Sequence, residues 1–152
     1  MKLKLSVLVS SSMLLVACDS FAPKETFQDC VLTKVSGAAN QSVANILREA
    51  CAKKHQVQLP QSALAKLETK AGQAVFGFVI HIDNRNPDWL LTEVEFYIER
   101  TPGSIRKPYI EKIYIEPLSK EAFFPRTGDE PKQGDTEFSW GVLRAWGVPV
   151  KR

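Results

Sequence analysis

The sequence predicts an α+β fold in which a short N-terminal helical hairpin precedes a small antiparallel β-sandwich. Apolar residues recur at helical spacing from Phe27 to Ala71, and beyond Gly72 the period switches to two. The period-two segments then return about every twelve to twenty residues with no helical stretch between them, the rhythm of an antiparallel sandwich or partly open barrel. The boundaries expected are 1–17 for an export segment, 18–28 for a tether, 29–72 for the helical region and 73–152 for the sandwich. With 44% hydrophobic and 24% charged residues in 152, the composition excludes a disordered, collagen-like or polytopic membrane chain.

The chain opens Met1-Lys2-Leu3-Lys4, runs apolar from Leu5, and leaves that run through Leu15-Val16-Ala17-Cys18. A cationic start, an apolar core and a small-residue exit form the pattern of a secretory signal. About thirteen apolar residues reach only about 20 Å as a helix, short of a hydrocarbon core of about 30 Å, so a stable span is the weaker reading. The tetrapeptide Leu15-Val16-Ala17-Cys18 resembles the lipobox of bacterial lipoproteins. That resemblance implies that Cys18 carries diacylglycerol in thioether linkage, that the chain is cut before it, and that the new amine is acylated, with palmitate-type chains holding the protein at a membrane. More than one acyl chain makes such an anchor effectively permanent. Asp19 resembles the inner-membrane retention signal of enteric lipoproteins; as a plain residue it is a solvated aspartate in a flexible tether.

Removing that segment changes two numbers. The formal charge of +3 includes Lys2 and Lys4; without them 18 Lys+Arg face 17 Asp+Glu, so the basic balance gives no reason to expect nucleic-acid binding. Three cysteines is an odd count, and with Cys18 consumed by lipid, Cys30 and Cys51 remain as a pair in an oxidising compartment. Phe27, Val31, Leu32 and Val35 define one short helix, and Val43, Ala44, Leu47, Ala50 and Cys51 define a second over 40–55, capped by Asn40 or Ser42. The break at 36–39 lets Cys30 face Cys51 across a hairpin. A structural disulfide, two buried thiols, and a redox or metal centre all remain open; the last is poorest because no histidine or acid stands at ligand spacing to both cysteines. Pro60, Leu64, Leu67 and Ala71, with Gly72 as a stop, predict one more short helix.

In the β region, 75–82 places Phe76, Phe78, Ile80 and Ile82 on one face, and a turn follows at 83–88. A second strand over 89–100 puts Leu90, Val94, Phe96 and Ile98 inward and Glu93, Glu95 and Glu99 outward, the alternation of a half-buried antiparallel strand. A third spans 109–116 to Pro117, Phe123 and Phe124 suit a short edge element, and 125–134 is a polar loop. The last strand, 136–148, places Trp140, Val142 and Trp146 on one side. Gly77, Asn84, Trp89, Thr92, Val94 and Phe96 together resemble the immunoglobulin-like modules of bacterial envelope proteins, a likeness of fold that carries no activity.

No motif carries chemistry. Neither Gly-x-Ser-x-Gly, His-Glu-x-x-His, a phosphate-binding loop nor Cys-x-x-Cys occurs. His55 at a helix end suits the dipole, and His81 on the first expected strand reads as a surface residue. Glu93, Glu95 and Glu99 form either a solvated face with cross-strand cationic partners or an acidic cation-binding patch. Trp146, flanked by small residues at Gly141, Ala145 and Gly147, is the candidate partner contact, with a core role as the alternative. No cofactor, metal or nucleic acid is expected. The class expected is a membrane-anchored, non-catalytic envelope lipoprotein of interaction or scaffold type. Its alternatives are a periplasmic inhibitor or immunity-type lipoprotein working through Asp129 and Glu130 in the polar loop, and a small envelope enzyme.

Overall fold

The computed structural model describes residues 24–75, 77–99, 106–132, 134 and 138–150. Cys18 and Asp19, Phe76, the turn expected at 101–104 and the start of the last expected strand lie outside the described residues.

Helix α1, Phe27–Val35, begins in a capping box. Asp29 N–H donates to Thr26 Oγ1 at 3.2 Å while Thr26 N–H donates to Asp29 Oδ2 at 2.9 Å, so two amides that the helix leaves without carbonyl partners are satisfied reciprocally. Helix α2, Gln41–His55, is capped by Asn40, whose Oδ1 accepts from Val43 N–H at 3.0 Å. Its last turn holds Lys53, Lys54 and His55, matching cationic side chains to the negative end of the dipole. A disulfide joins Cys30 to Cys51 with Cα atoms 5.8 Å apart, and both cysteines are fully buried.

The next elements are β1 (Val57–Gln58), α3 (Gln61–Leu64) and β2 (Leu67–Ala74). The helix expected across 60–71 is therefore only one turn long, and the helical region ends near Leu64 instead of Gly72. Leu67 and Ala71 are four apart, a spacing that lies on one face of a strand as well as of a helix. Pairing decides between them: β2 runs antiparallel to β3 (Gly77–Asn84) through eight residue pairs, from Leu67 opposite Asn84 to Ala74 opposite Gly77. Gly77 takes φ +123° at the close of this hairpin, a value that side chains rarely adopt.

The remaining strands are β4 (Trp89–Glu99), β5 (Pro108–Ile115), β6 (Lys120–Phe123) and β7 (Ser139–Pro149). They complete two antiparallel sheets ordered β1-β7-β4-β5 and β2-β3-β6. Between the sheets lies the main core, with Phe78, Ile80 and Ile82 from one side and Leu91, Val94, Phe96, Ile98 and Ala145 from the other. Trp89, Trp140 and Val142 pack against it. A second cluster joins Phe27, Cys30, Cys51 and Ala52 of the hairpin to Leu90 and Val148, so the hairpin covers one end of the outer face of the four-stranded sheet.

Two register shifts correct the expected faces. One lies between Leu91 and Glu93 and leaves Thr92 as an extra residue on β4 against β7. Leu91, not Leu90, therefore points into the sandwich with Val94, while Leu90 turns outward to the hairpin. The other shift, between Glu95 and Phe96, leaves Leu143 extra on β7. Trp140 and Val142 face the core, and beyond Leu143 the parity inverts, so Ala145 is inside and Trp146 is on the opposite face. Bulges of this kind slip the alternation by one residue, and sequence periodicity does not announce them.

Candidate functional site

The outer face of β4 is built by cross-strand pairing. Glu95 lies opposite Arg144 of β7, and the guanidinium clasps the carboxylate with two hydrogen bonds, from Nε to Oε2 and from the terminal nitrogen to Oε1 at 3.0 Å. The Glu95 contact holds the Arg144 proton more firmly than in free arginine. Arg144 also lies over the Trp146 ring, 5.5 Å from its centroid. Glu99 accepts from Ser139 Oγ at 2.7 Å and from Arg106 Nε at 3.3 Å, and Arg106 covers the Tyr97 ring at 4.5 Å. Tyr97 in turn lies over Gly141, where a Cβ would come within 2.9 Å of the ring. Glu93 accepts from Lys53 Nζ of α2 at 3.2 Å.

These pairs correct the expectation of a solvated acidic face. Glu95 and Glu99 are only 4% and 5% exposed, because β4 is a central strand and long cationic side chains lie across its carboxylates. The cross-strand arginine expected for Glu95 is there; the solvent is not. With each carboxylate on a cation, the face is a neutralised ion-pair ladder interleaved with Tyr97 and Trp146. Trp146 is half-buried and belongs to neither apolar cluster. Its neighbour across the sheet edge is Gln58 of the two-residue strand β1.

Beside this ladder, a cleft of about 390 Å³ opens where α2 overhangs β5 and β6, the edge strands on the open side of the sandwich. Ile113, Tyr114 and Phe123 contribute apolar surface, while Lys53, Glu93 and Lys112 contribute charge. Thr92 at the bulge donates to Gln56 Oε1 at 3.2 Å, tying the α2 C-terminus to the sheet beside the cleft. An apolar floor with charges of both signs suits a peptide or protein segment better than a small anion.

At the same C-terminal end of α2, on its hairpin side, Glu25, Cys30 and His55 each bring one donor atom within 4.8 Å of the others. Lys54 donates to Glu25 and holds its carboxyl below the usual range. His55 Nε2 is buried and without a hydrogen bond, 3.9 Å from Glu25 Oε2. His55 thus closes the helix as expected, yet its ring turns toward the hairpin interior. Local spacing does not reveal this grouping because Glu25 precedes α1; the one signal in the sequence is Cys51-x-x-x-His55, four residues apart on one helix face.

The other expected residues are dispersed. His81 is exposed on β3, opposite Lys70 and Ala122. Phe123 packs on the core at edge strand β6 while Phe124 is 51% exposed. In the polar loop Thr127 N–H donates to Glu130 Oε1, and although burial acts to raise the Glu130 carboxyl, backbone donors bring it below the ordinary value. Asp129 stands 3.9 Å from Lys107.

Among the described residues no helix is long and apolar enough to cross a membrane. Comparison with protein families, curated proteins and solved structures gave no match to this chain.

Proposed function

We propose that this chain is a lipid-anchored, non-catalytic interaction module of the bacterial cell envelope. The carrying observation is cysteine use: with Cys30 and Cys51 joined, Cys18 has no further cysteine in this chain to pair with, and it stands last in the lipobox-like Leu15-Val16-Ala17-Cys18. A disulfide fits an oxidising compartment. An apolar run before Cys18 and a nearly neutral remainder fit export and membrane attachment without nucleic acid. The immunoglobulin-like reading is supported by a chain that crosses from sheet to sheet, with β7 inserted between β1 and β4.

On this reading the module works close to its membrane. Eight residues from Cys18 to the N-cap Thr26 span at most about 29 Å. The face offered to a partner is the cleft under α2 together with the Trp146 and Arg144 edge, with Asp19 setting which membrane holds it.

Metabolic labelling with a palmitate analogue, run in parallel on Cys18→Ser, tests the anchor. Label and membrane association should both vanish in the variant; their persistence refutes the reading. In-cell crosslinking from Trp146 and Lys112 then identifies the neighbour, and capture of a toxin or hydrolase would replace the scaffold role with an inhibitory one.

A further inference from the structure

We propose that reduction of the Cys30–Cys51 disulfide converts the base of the helical hairpin into a zinc-binding site made by Cys30, Cys51, His55 and Glu25. The disulfide is then a switch as well as a staple, and the proposal stands independently of the lipid anchor.

The geometry already gathers the donors. Glu25, Cys30 and His55 place an oxygen, a sulfur and a nitrogen within 4.8 Å of one another, and Cys51 brings the second sulfur through its bond to Cys30. Donors around a tetrahedral zinc stand about 3.3–3.8 Å apart, so closing the three onto an ion asks for a contraction of at most about 1.5 Å, and His55 Nε2 already stands 3.9 Å from Glu25 Oε2. Cys51 and His55 occupy i and i+4 of α2 and share its face, while Cys30 comes from α1 and Glu25 from the segment before it. A mixed thiolate, imidazole and carboxylate set suits zinc. His55 Nε2 is buried with no hydrogen bond, a polar atom without the partner that such atoms ordinarily find. Two thiolates and one carboxylate exceed the charge of Zn²⁺ by one, and the Lys54 ammonium beside Glu25 offsets the excess.

While the disulfide is intact neither sulfur carries the charge that a metal requires. A dithiol reductant supplies the change: one thiolate attacks a cystine sulfur, a mixed disulfide forms, and the second thiolate of the reductant expels the remaining protein thiolate. The protein gains two electrons and two protons as two thiols, and the reductant leaves as its own disulfide. Zinc then binds both sulfurs and releases those two protons. Both cysteines are fully buried, so attack requires the hairpin to part from Leu90 and Val148, and metal binding draws it closed again.

The test uses the full chain with Cys18→Ser, so that the only thiols come from the pair. A phosphine reductant, which becomes the phosphine oxide by taking oxygen from water and does not compete as a thiol, opens the disulfide before anaerobic titration with Co²⁺ and then Zn²⁺. The expected result is one cobalt per chain, with a thiolate-to-cobalt charge-transfer band and tetrahedral ligand-field bands that zinc abolishes. The oxidised chain should show none of these. His55→Ala should weaken zinc binding tenfold or more and Glu25→Gln should weaken it less, while His81→Ala on the other sheet should leave it unchanged. The proposal is overturned by a reduced chain that shows no charge-transfer band, or by His55→Ala titrating like its parent.

Discussion

Asn84 Oδ1 accepts two hydrogen bonds from Asn86, one from the backbone N–H at 3.3 Å and one from Nδ2 at 3.1 Å, and both residues are buried. The Asn84 amide nitrogen donates onward to Trp89 O at 2.7 Å and Glu116 O at 3.1 Å, and Asn86 Nδ2 reaches Ala63 O at 3.0 Å. Two side chains thus clasp the end of β3, the start of β4, the β5–β6 turn and α3. Their burial is tolerable because each polar atom finds a partner.

Removing that clasp leaves carbonyls without donors where water does not reach. Asn84→Ala should cost about 2–4 kcal/mol, and Asn84→Asp, which cannot donate, should be no milder. Urea denaturation of both variants measures this; a loss near zero would mean that the carbonyls are satisfied elsewhere.

Gly147 is required by contact. A Cβ there would lie 2.4 Å from Leu90 O and 3.0 Å from Leu59 Cδ1, and the first of these is backbone within the sheet. Gly147→Ala should cost about 1–3 kcal/mol as overpacking. Gly72→Ala, with nothing within 4 Å of its Cβ position, should be neutral or stabilising by up to about 1 kcal/mol. Thermal melts of the two variants should move in different directions or by clearly different amounts.

The disulfide closes a ring with a sequence separation of 21. Cys30→Ala with Cys51→Ala should lower stability by about 3 kcal/mol on the chain-entropy account. Amide exchange should speed first in α1, which has few other buried side chains than Phe27 and Cys30.

Acid should loosen the same hairpin. Backbone and side-chain hydrogen bonds from Thr26 hold the Asp29 carboxyl below its ordinary value, and Lys54 does the same for Glu25. A carboxylate depressed in the folded state adds stability that is complete above its unfolded pKa and is lost as pH falls through the folded one. The loss should therefore begin below about pH 4. Asp29→Asn should flatten that acid limb, and Thr26→Ala should remove about 1 kcal/mol of capping at neutral pH. Helicity followed against pH checks both.

Trp146→Ala should be mild for so large a residue, about 1 kcal/mol, because it removes a cation–π contact with Arg144 and no core packing. Trp140→Ala, which empties space against the main core, should cost about 3 kcal/mol or more. If Trp146→Ala proves as costly as Trp140→Ala, the Trp146 edge is structural and loses its standing as a partner contact.

Where local rules act alone, the sequence was legible. The Asn40 cap expected for the second helix is where α2 begins, and the apolar spacing from Phe27 marks α1, whose Thr26–Asp29 capping box the spacing does not reveal. Cysteine parity pointed to the Cys30–Cys51 pair. The segment from Leu67 to Ala74 is a strand where a helix is expected through Ala71, because its apolar spacing fits either period until β3 lies beside it. Leu90 and Trp146 lie on the faces opposite to those that strict alternation predicts, because the extra residues at Thr92 and Leu143 appear only when β4 and β7 are paired. Glu95 and Glu99 looked solvated because nothing local says that Arg144 and Arg106 will lie across them.

By itself the sequence determined the class of fold, the start of α2 and the cysteine arithmetic, which rest on apolar spacing, capping chemistry and a count of residues. Tertiary structure decided which side of each strand meets the core, how the acidic ladder is neutralised, and that Glu25 and His55 stand beside the disulfide. The reason is one of range: capping and helical spacing are fixed within a turn of chain, whereas a bulge, a buried ion pair or the grouping of Glu25 and His55 with Cys30 exists only where segments far apart in sequence are brought into register.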